Sequence, residues 1–143
     1  MSSRDEGSAL VEFVVLAVLM LVPIVYLVLA LGRIQAGALA VEQGVREAGR
    51  AFVTAPDEAS ATGRPRAAAR LAYGDEGFGG PAPDELTFSC SAQPCLTAGA
   101  RVRVTGSLTV VLPGVPRFLV RAVPLQVRLR ATHIATVDRF AVR

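Results

Sequence analysis

Residues 13–31 read FVVLAVLMLVPIVYLVLAL, nineteen positions without one formal charge. As a helix at 1.5 Å per residue the run is about 28 Å long, close to the roughly 30 Å hydrocarbon core of a bilayer. It predicts a transmembrane helix, and the rest of the chain is read outward from it. Pro23 lies inside the run. In water a proline would break a helix, but lipid offers the backbone no better alternative and the kink is absorbed. A secretory signal has a shorter apolar region, about 7–15 residues, followed by a small-residue cleavage site. Ala38-Leu39-Ala40 imitates such a site, but Arg33 and Gln35 stand between it and the run. Tyr26 reads as a packing residue.

With the run removed, the 143-residue chain retains enough for one small domain. Apolar residues make up 52% and charged residues 19%, against about a quarter charged in an ordinary soluble domain. All fifteen basic residues are arginine. The net charge of +3 is unevenly spread: from residue 100 onward Arg101, Arg103, Arg117, Arg121, Arg128, Arg130, Arg139 and Arg143 face Asp138 alone. Such a surface suits an acidic partner, a wall polymer or anionic headgroups, or is simply a solvated strand face. No nucleic-acid partner is expected, because aromatic residues are only 6% and no reading motif occurs.

Upstream of the run, Met1-Ser2-Ser3-Arg4-Asp5-Glu6-Gly7 carries one arginine, while Arg33, Arg46 and Arg50 follow the run. Charge alone therefore orients the helix weakly. The informative stretch is Gly7-Ser8-Ala9-Leu10-Val11-Glu12-Phe13. A carboxylate at the mouth of a membrane helix is costly and calls for a partner. Cleavage after Gly7 would give Ser8 a free amine with a pKa near 8, and Glu12 lies one helical turn on, able to face that amine or a neighbour's.

Gly-x-x-x-x-Glu-Phe before such a run resembles the processing site of type IV-pilin-like proteins. Arg33-Ile34-Gln35, followed by the alanine-rich stretch from Ala40 to Ala51 with Arg46-Glu47 and Arg50, is similar to the TadE-like minor pilins (pseudopilins) of tight-adherence, or Flp, pilus systems. The resemblance covers residues 7–53. It implies cutting by a prepilin peptidase between Gly7 and Ser8, with Glu12 and Phe13 serving processing and assembly. It also implies a single-pass topology in the cytoplasmic membrane, N-terminus inside and C-terminal domain outside, with other pilin-like subunits and the pilus assembly machinery as partners besides lipid.

Beyond the run the helix is expected to continue, with Ile34, Ala38, Val41, Val45, Ala48 and Phe52 along one face. A second row, Gly32, Ala36, Ala40, Gly44 and Ala48, repeats a small residue every four positions and reads either as a groove for another pilin helix or as plain Ala/Gly content. Thr54-Ala55-Pro56-Asp57 looks like a helix start, interrupted by Gly63-Arg64-Pro65; a second short helix is expected over 66–73, ended by Gly74, then a loop through Pro83. From Leu86 the apolar period becomes two: Leu86, Phe88 and Cys90, then Val102 and Val104 onward to Leu112, then Leu125 to Val137 on alternate positions, with Pro113-Gly114-Val115-Pro116 between strands. The fold class is thus α+β and membrane-anchored: a long N-terminal transmembrane helix extending into a small antiparallel sheet of three to four strands. By segment, 1–7 is a leader, 8–53 the membrane helix with its amphipathic extension, 54–85 a short helix and linker, and 86–143 a small extracytoplasmic β domain.

Cys90 and Cys95 are the only cysteines and His133 the only histidine, so four zinc ligands are hard to assemble. Outside the membrane the cysteine pair reads as a disulfide across Ser91-Ala92-Gln93-Pro94. His133 falls on the apolar side of its strand and reads as a packed residue. A Ser/His/Asp set drawn from His133 and Asp138 has no nucleophile motif, and the pairs Asp57-Glu58, Asp75-Glu76 and Asp84-Glu85 suit solvation better than acid–base work. No catalytic residues, metal, cofactor or small-molecule substrate are expected. The expectation is a structural protein of pilus assembly, taking part in bacterial adhesion or secretion; the alternative is an unprocessed bitopic protein with an extracytoplasmic binding or sensor domain.

Overall fold

The computed structural model of the chain describes residues 4–79, 85–114 and 126–140, with side chains from Ala9 onward and from Leu86 in the sheet. The expected leader residues Met1–Ser3, the prolines at 81 and 83, Asp84, Val115, Pro116, Arg117, Arg121, Leu125 and Arg143 lie outside these residues. Helix α1 runs Arg4–Val53 without interruption through Pro23. Helix α2 spans Ser60–Asp75, and strands β1 (Glu85–Cys90), β2 (Arg101–Val111) and β3 (Gln126–Thr136) form one antiparallel sheet in the order β1-β2-β3. The α+β class holds, with three strands among the described residues.

The apolar part of α1 is bare. Seventeen large hydrophobic side chains between Leu10 and Leu31 are about half or more exposed, whereas Val41, Val45, Ala48 and Phe52 are buried. The buried half is covered on one side by the sheet and on the other by α2, and a single core joins α1, α2 and all three strands. Phe52 stacks on Phe88 of β1 at 5.2 Å between ring centres. On β2 the inward side chains are Val102, Val104, Leu108 and Val110, with Gly106 giving Val45 room to sink against the strand.

Two glycines of α1 set how closely its neighbours approach. A Cβ on Gly37 would overlap Val110 and lie 3.0 Å from Leu129 Cδ1; one on Gly44 would lie 2.6 Å from the Tyr73 ring. This shifts the expected stripe. Ala38 is exposed and Gly37 is buried, because at 100° per residue the covered arc is centred nearer Val41 and Ala48 than Ala38.

Helix α2 also differs from expectation, being one helix that starts earlier and ends later. Asp57 starts it: its Oδ1 accepts the Ser60 N–H at 2.7 Å. Pro65 does not interrupt it. The proline removes one hydrogen bond early in the helix, and burial of its ring offsets that loss. The end is set by Gly77, not Gly74. Gly77 has φ +75°, its N–H donates to the Gly74 carbonyl at 3.0 Å, and the Phe78 N–H donates to the Tyr73 carbonyl at 2.8 Å. This pair of bonds is a Schellman ending, which needs a left-handed residue at the position Gly77 fills.

Candidate functional site

Four places hold the residues singled out by sequence: the mouth of α1, the small-residue row, the outer face of the sheet, and the disulfide loop. At the mouth, Gly7 and Ser8 lie in the early turns of α1. Glu12 is exposed, beside Val11, Val15, Leu16 and Leu19, and makes no ion pair among the described residues. Phe13 is exposed as well. A carboxylate amid aliphatic side chains is costly where those side chains enter lipid, unless a cationic donor pairs with it. Helix α1, from Ala9 on, is the one described helix long and apolar enough to cross a membrane.

The small-residue row divides. Gly32 is exposed, and a Cβ added to it would meet no atom within 4 Å beyond its own helix backbone; Ala36 is half-buried. Ala40, Gly44 and Ala48 are buried in the chain's own core, with Gly44 under Tyr73 of α2. These three positions are therefore covered within the chain's own core, Gly44 by α2, and are not open to a second chain. Close backbone approach is used, as small residues allow, but within the molecule.

The outer face of the sheet carries Arg101, Arg103, Arg128 and Arg130, all exposed, interleaved with hydroxyls. Register places Ser89 beside Arg103, Ser107 beside Arg130, and Thr109 beside Arg128. Ser107 is fully buried beneath this layer and accepts from Arg128 at 3.2 Å. Thr105 and Thr132 hydroxyls meet at 3.1 Å. A shallow hollow of about 290 Å³ is lined by Ser89, Ser91, Arg101, Arg103 and Ile134. Guanidinium forks beside hydroxyl donors suit carboxylate or phosphate oxygens. Arg117, Arg121 and Arg143, expected with this group, lie outside the described residues. The interleaved hydroxyls were not singled out by sequence, although the same period of two places them.

Cys90 and Cys95 form a disulfide, with α-carbons 5.4 Å apart. The Gln93-Pro94 peptide between them is cis. The Cys95 N–H donates to Glu58 Oε1 at 2.9 Å, and the Arg101 N–H to Ser91 Oγ at 2.9 Å. The Asp57-Glu58 pair is thus not merely solvated: one carboxylate starts α2 and the other ties α2's approach to the disulfide loop. The Ser60 backbone N–H, followed by its side chain, holds the Asp57 carboxyl below its ordinary pKa. His133 is half-buried, with its ring against Gly49, and Asp138 accepts from the Phe140 N–H at 2.9 Å. The two do not meet in a catalytic arrangement among the described bonds.

Arg33, read in the sequence only for its charge and its place in the resemblance, has a packing role that was not read there. Its guanidinium lies 3.9 Å over the Phe78 ring and donates to the Gly77 carbonyl at 3.2 Å, so the first cation after the apolar run is clasped by the end of α2. The signal available was only its place, two residues past the run.

No family model matches the chain, and neither a curated protein nor a solved structure matches it.

Proposed function

We propose that the chain is a membrane-anchored structural subunit of a pilus-like assembly: a TadE-like minor pilin cut by a prepilin peptidase after Gly7. The carrying observation is the coincidence of Gly7-x-x-x-x-Glu12-Phe13 with the mouth of a helix whose next part is apolar on every side. A bare helix of that kind is favourable only in lipid or against like helices. Its other half carries a small sheet-bearing head, which leaves the apolar part free to enter a membrane or a helical bundle. The orientation that goes with cutting at Gly7 places the head and its disulfide outside the cytoplasmic membrane, where oxidation is favoured. Glu12 then accepts from the Ser8 amine, its own or a neighbour's.

The test is N-terminal sequencing of the protein recovered from membranes of a host that has the peptidase. The mature chain begins at Ser8; a chain that keeps residues 1–7 in the presence of active peptidase would overturn the pilin reading. The arginine and hydroxyl face favours a second reading, an unprocessed bitopic protein with an outward binding domain, and the same measurement separates the two.

A further inference from the structure

Helix α1 and strand β2 run side by side in opposite directions, and their contacts give a common scale. Val104 lies beside Gly49, Gly106 beside Val45, Val110 beside Gly37, and Gly114 beside the Tyr26 ring. From Gly49 to Gly37 the helix rises about 18 Å at 1.5 Å per residue. From Val104 to Val110 the strand covers about 20 Å at 3.4 Å per residue. The two lengths agree, so depth along one element can be read on the other. Gly114 therefore sits level with Tyr26, five residues inside the uncharged run that ends at Leu31, or about 8 Å below its end.

If lipid stopped short of the sheet, only residues 13–25 would remain to cross it. That is about 20 Å of helix against a core of roughly 30 Å. Leu27, Val28, Leu29 and Leu31, all exposed on the chain's own surface, would then stand in water. Each large aliphatic side chain is worth about 1.5–3 kcal/mol when fully buried, so lipid that rises to Leu31 is favoured by several kcal/mol over lipid that stops at Tyr26.

The end of β2 has the surface for that depth. Val111 is 60% exposed, Pro113 and Gly114 are exposed, and Leu112 is half-buried. The sequence carries no charge from residue 104 to residue 116. The nearest cation on the helix, Arg33, is drawn toward the Gly77 carbonyl and the Phe78 ring, above the end of the run.

We infer that residues 111–114, at the end of β2, are a second membrane contact, seated in the head-side interface of the bilayer beside Tyr26. The protein is then held by lipid at two elements, the helix and the sheet end, and the head cannot spin or tilt freely about α1. The depth matches the 5–10 Å at which interfacial elements rest. The inference rests on the membrane reading proposed above.

The chain has no tryptophan, so single-tryptophan variants report depth without background. The full chain is reconstituted in phosphatidylcholine–phosphatidylglycerol vesicles carrying bromine near the head or near the tail of the acyl chains. Three variants are compared: Leu21→Trp in the run, Val111→Trp at the sheet end, and Ile134→Trp, which pairs with Arg103 about 27 Å of strand away from Val111. Leu21→Trp is quenched most by tail bromine. Val111→Trp has blue-shifted emission and is quenched severalfold more than Ile134→Trp, chiefly by bromine near the head. If Val111→Trp is as little quenched as Ile134→Trp while Leu21→Trp is quenched, the inference is overturned and the span stands. If Leu21→Trp is not quenched either, the membrane reading and the inference fall together. Pro113→Trp, further along the same strand end, guards against a folding defect at residue 111 and must be quenched at least as strongly.

Discussion

Between Phe13 and Leu31, helix α1 is apolar on every side and, among the described residues, covered by its own chain only near Tyr26 and Ala30. Between Ala40 and Phe52 it is apolar on one side, and that side is covered by α2 and the sheet. The backbone is the same through both halves; what differs is which surroundings the side chains require. The first half asks for a non-aqueous surrounding in all directions, the second for one specific neighbour in one direction. Substitutions should therefore have opposite consequences in the two halves.

The largest effect is a swapped pair of carboxylates. Val45→Asp places a charge at a fully buried position lined by apolar side chains among the described residues, at a cost of roughly 5 kcal/mol, comparable with the whole stability of a small domain. The head should lose its cooperative melting in detergent while the chain still partitions with membranes. Leu21→Asp should do the reverse. It costs about 2.5–3.5 kcal/mol of insertion near the bilayer centre and leaves head melting unchanged. If both variants damage the same property, α1 is not divided.

Next come the glycines. Gly44→Ala pushes a methyl into the Tyr73 ring. Overpacking of this kind costs about 1–3 kcal/mol, more than the up to about 1 kcal/mol gained in helix propensity. Gly32→Ala meets no atom within 4 Å and should leave head stability unchanged or slightly raised. Thermal melting of both variants ranks them; equal losses would mean that the packing of α2 on Gly44 is not what holds the two helices together.

The disulfide should count for less, and only in the head. Its loop is closed over a sequence separation of 5, for which chain entropy gives about 2 kcal/mol. Cys90→Ser with Cys95→Ser should lower the melting temperature of the head, speed amide exchange in residues 91–100, and leave exchange in the apolar half of α1 as it was. Faster exchange there would couple the halves.

The smallest effect is at Asp57, whose carboxyl is held below its ordinary pKa by the Ser60 N–H. A depressed folded pKa means that its contribution is complete above the unfolded value of about 3.9 and is lost as pH falls through the lower folded value. Asp57→Asn keeps an acceptor for Ser60 and should remove this part of the acid loss with little change near neutral pH. An unchanged acid melting profile would mean that the cap does not titrate with the head.

Much of this was legible in the chain itself. The run 13–31 fixed the length and nature of the first half of α1, because a charge-free stretch of that length is a property of neighbouring residues. Alternation at Leu86–Cys90 and 101–111 placed the strands, and the spacing of Cys90 and Cys95 left them near enough to bridge. Three things were decided only by contacts across the fold. Gly37, not Ala38, lies on the buried face because Val110 and Leu129, far away in sequence, approach there. Pro65 stays inside α2 because its ring finds burial, which local propensity does not contain. Ala40, Gly44 and Ala48 belong to the chain's own core, with Tyr73 of α2 over Gly44, although the row reads equally well as an open groove. Periodicity is set by the backbone angles of one segment and can be read from that segment; which face is covered, and how deep the end of β2 reaches along α1, are distances between segments, and only the packed molecule fixes them.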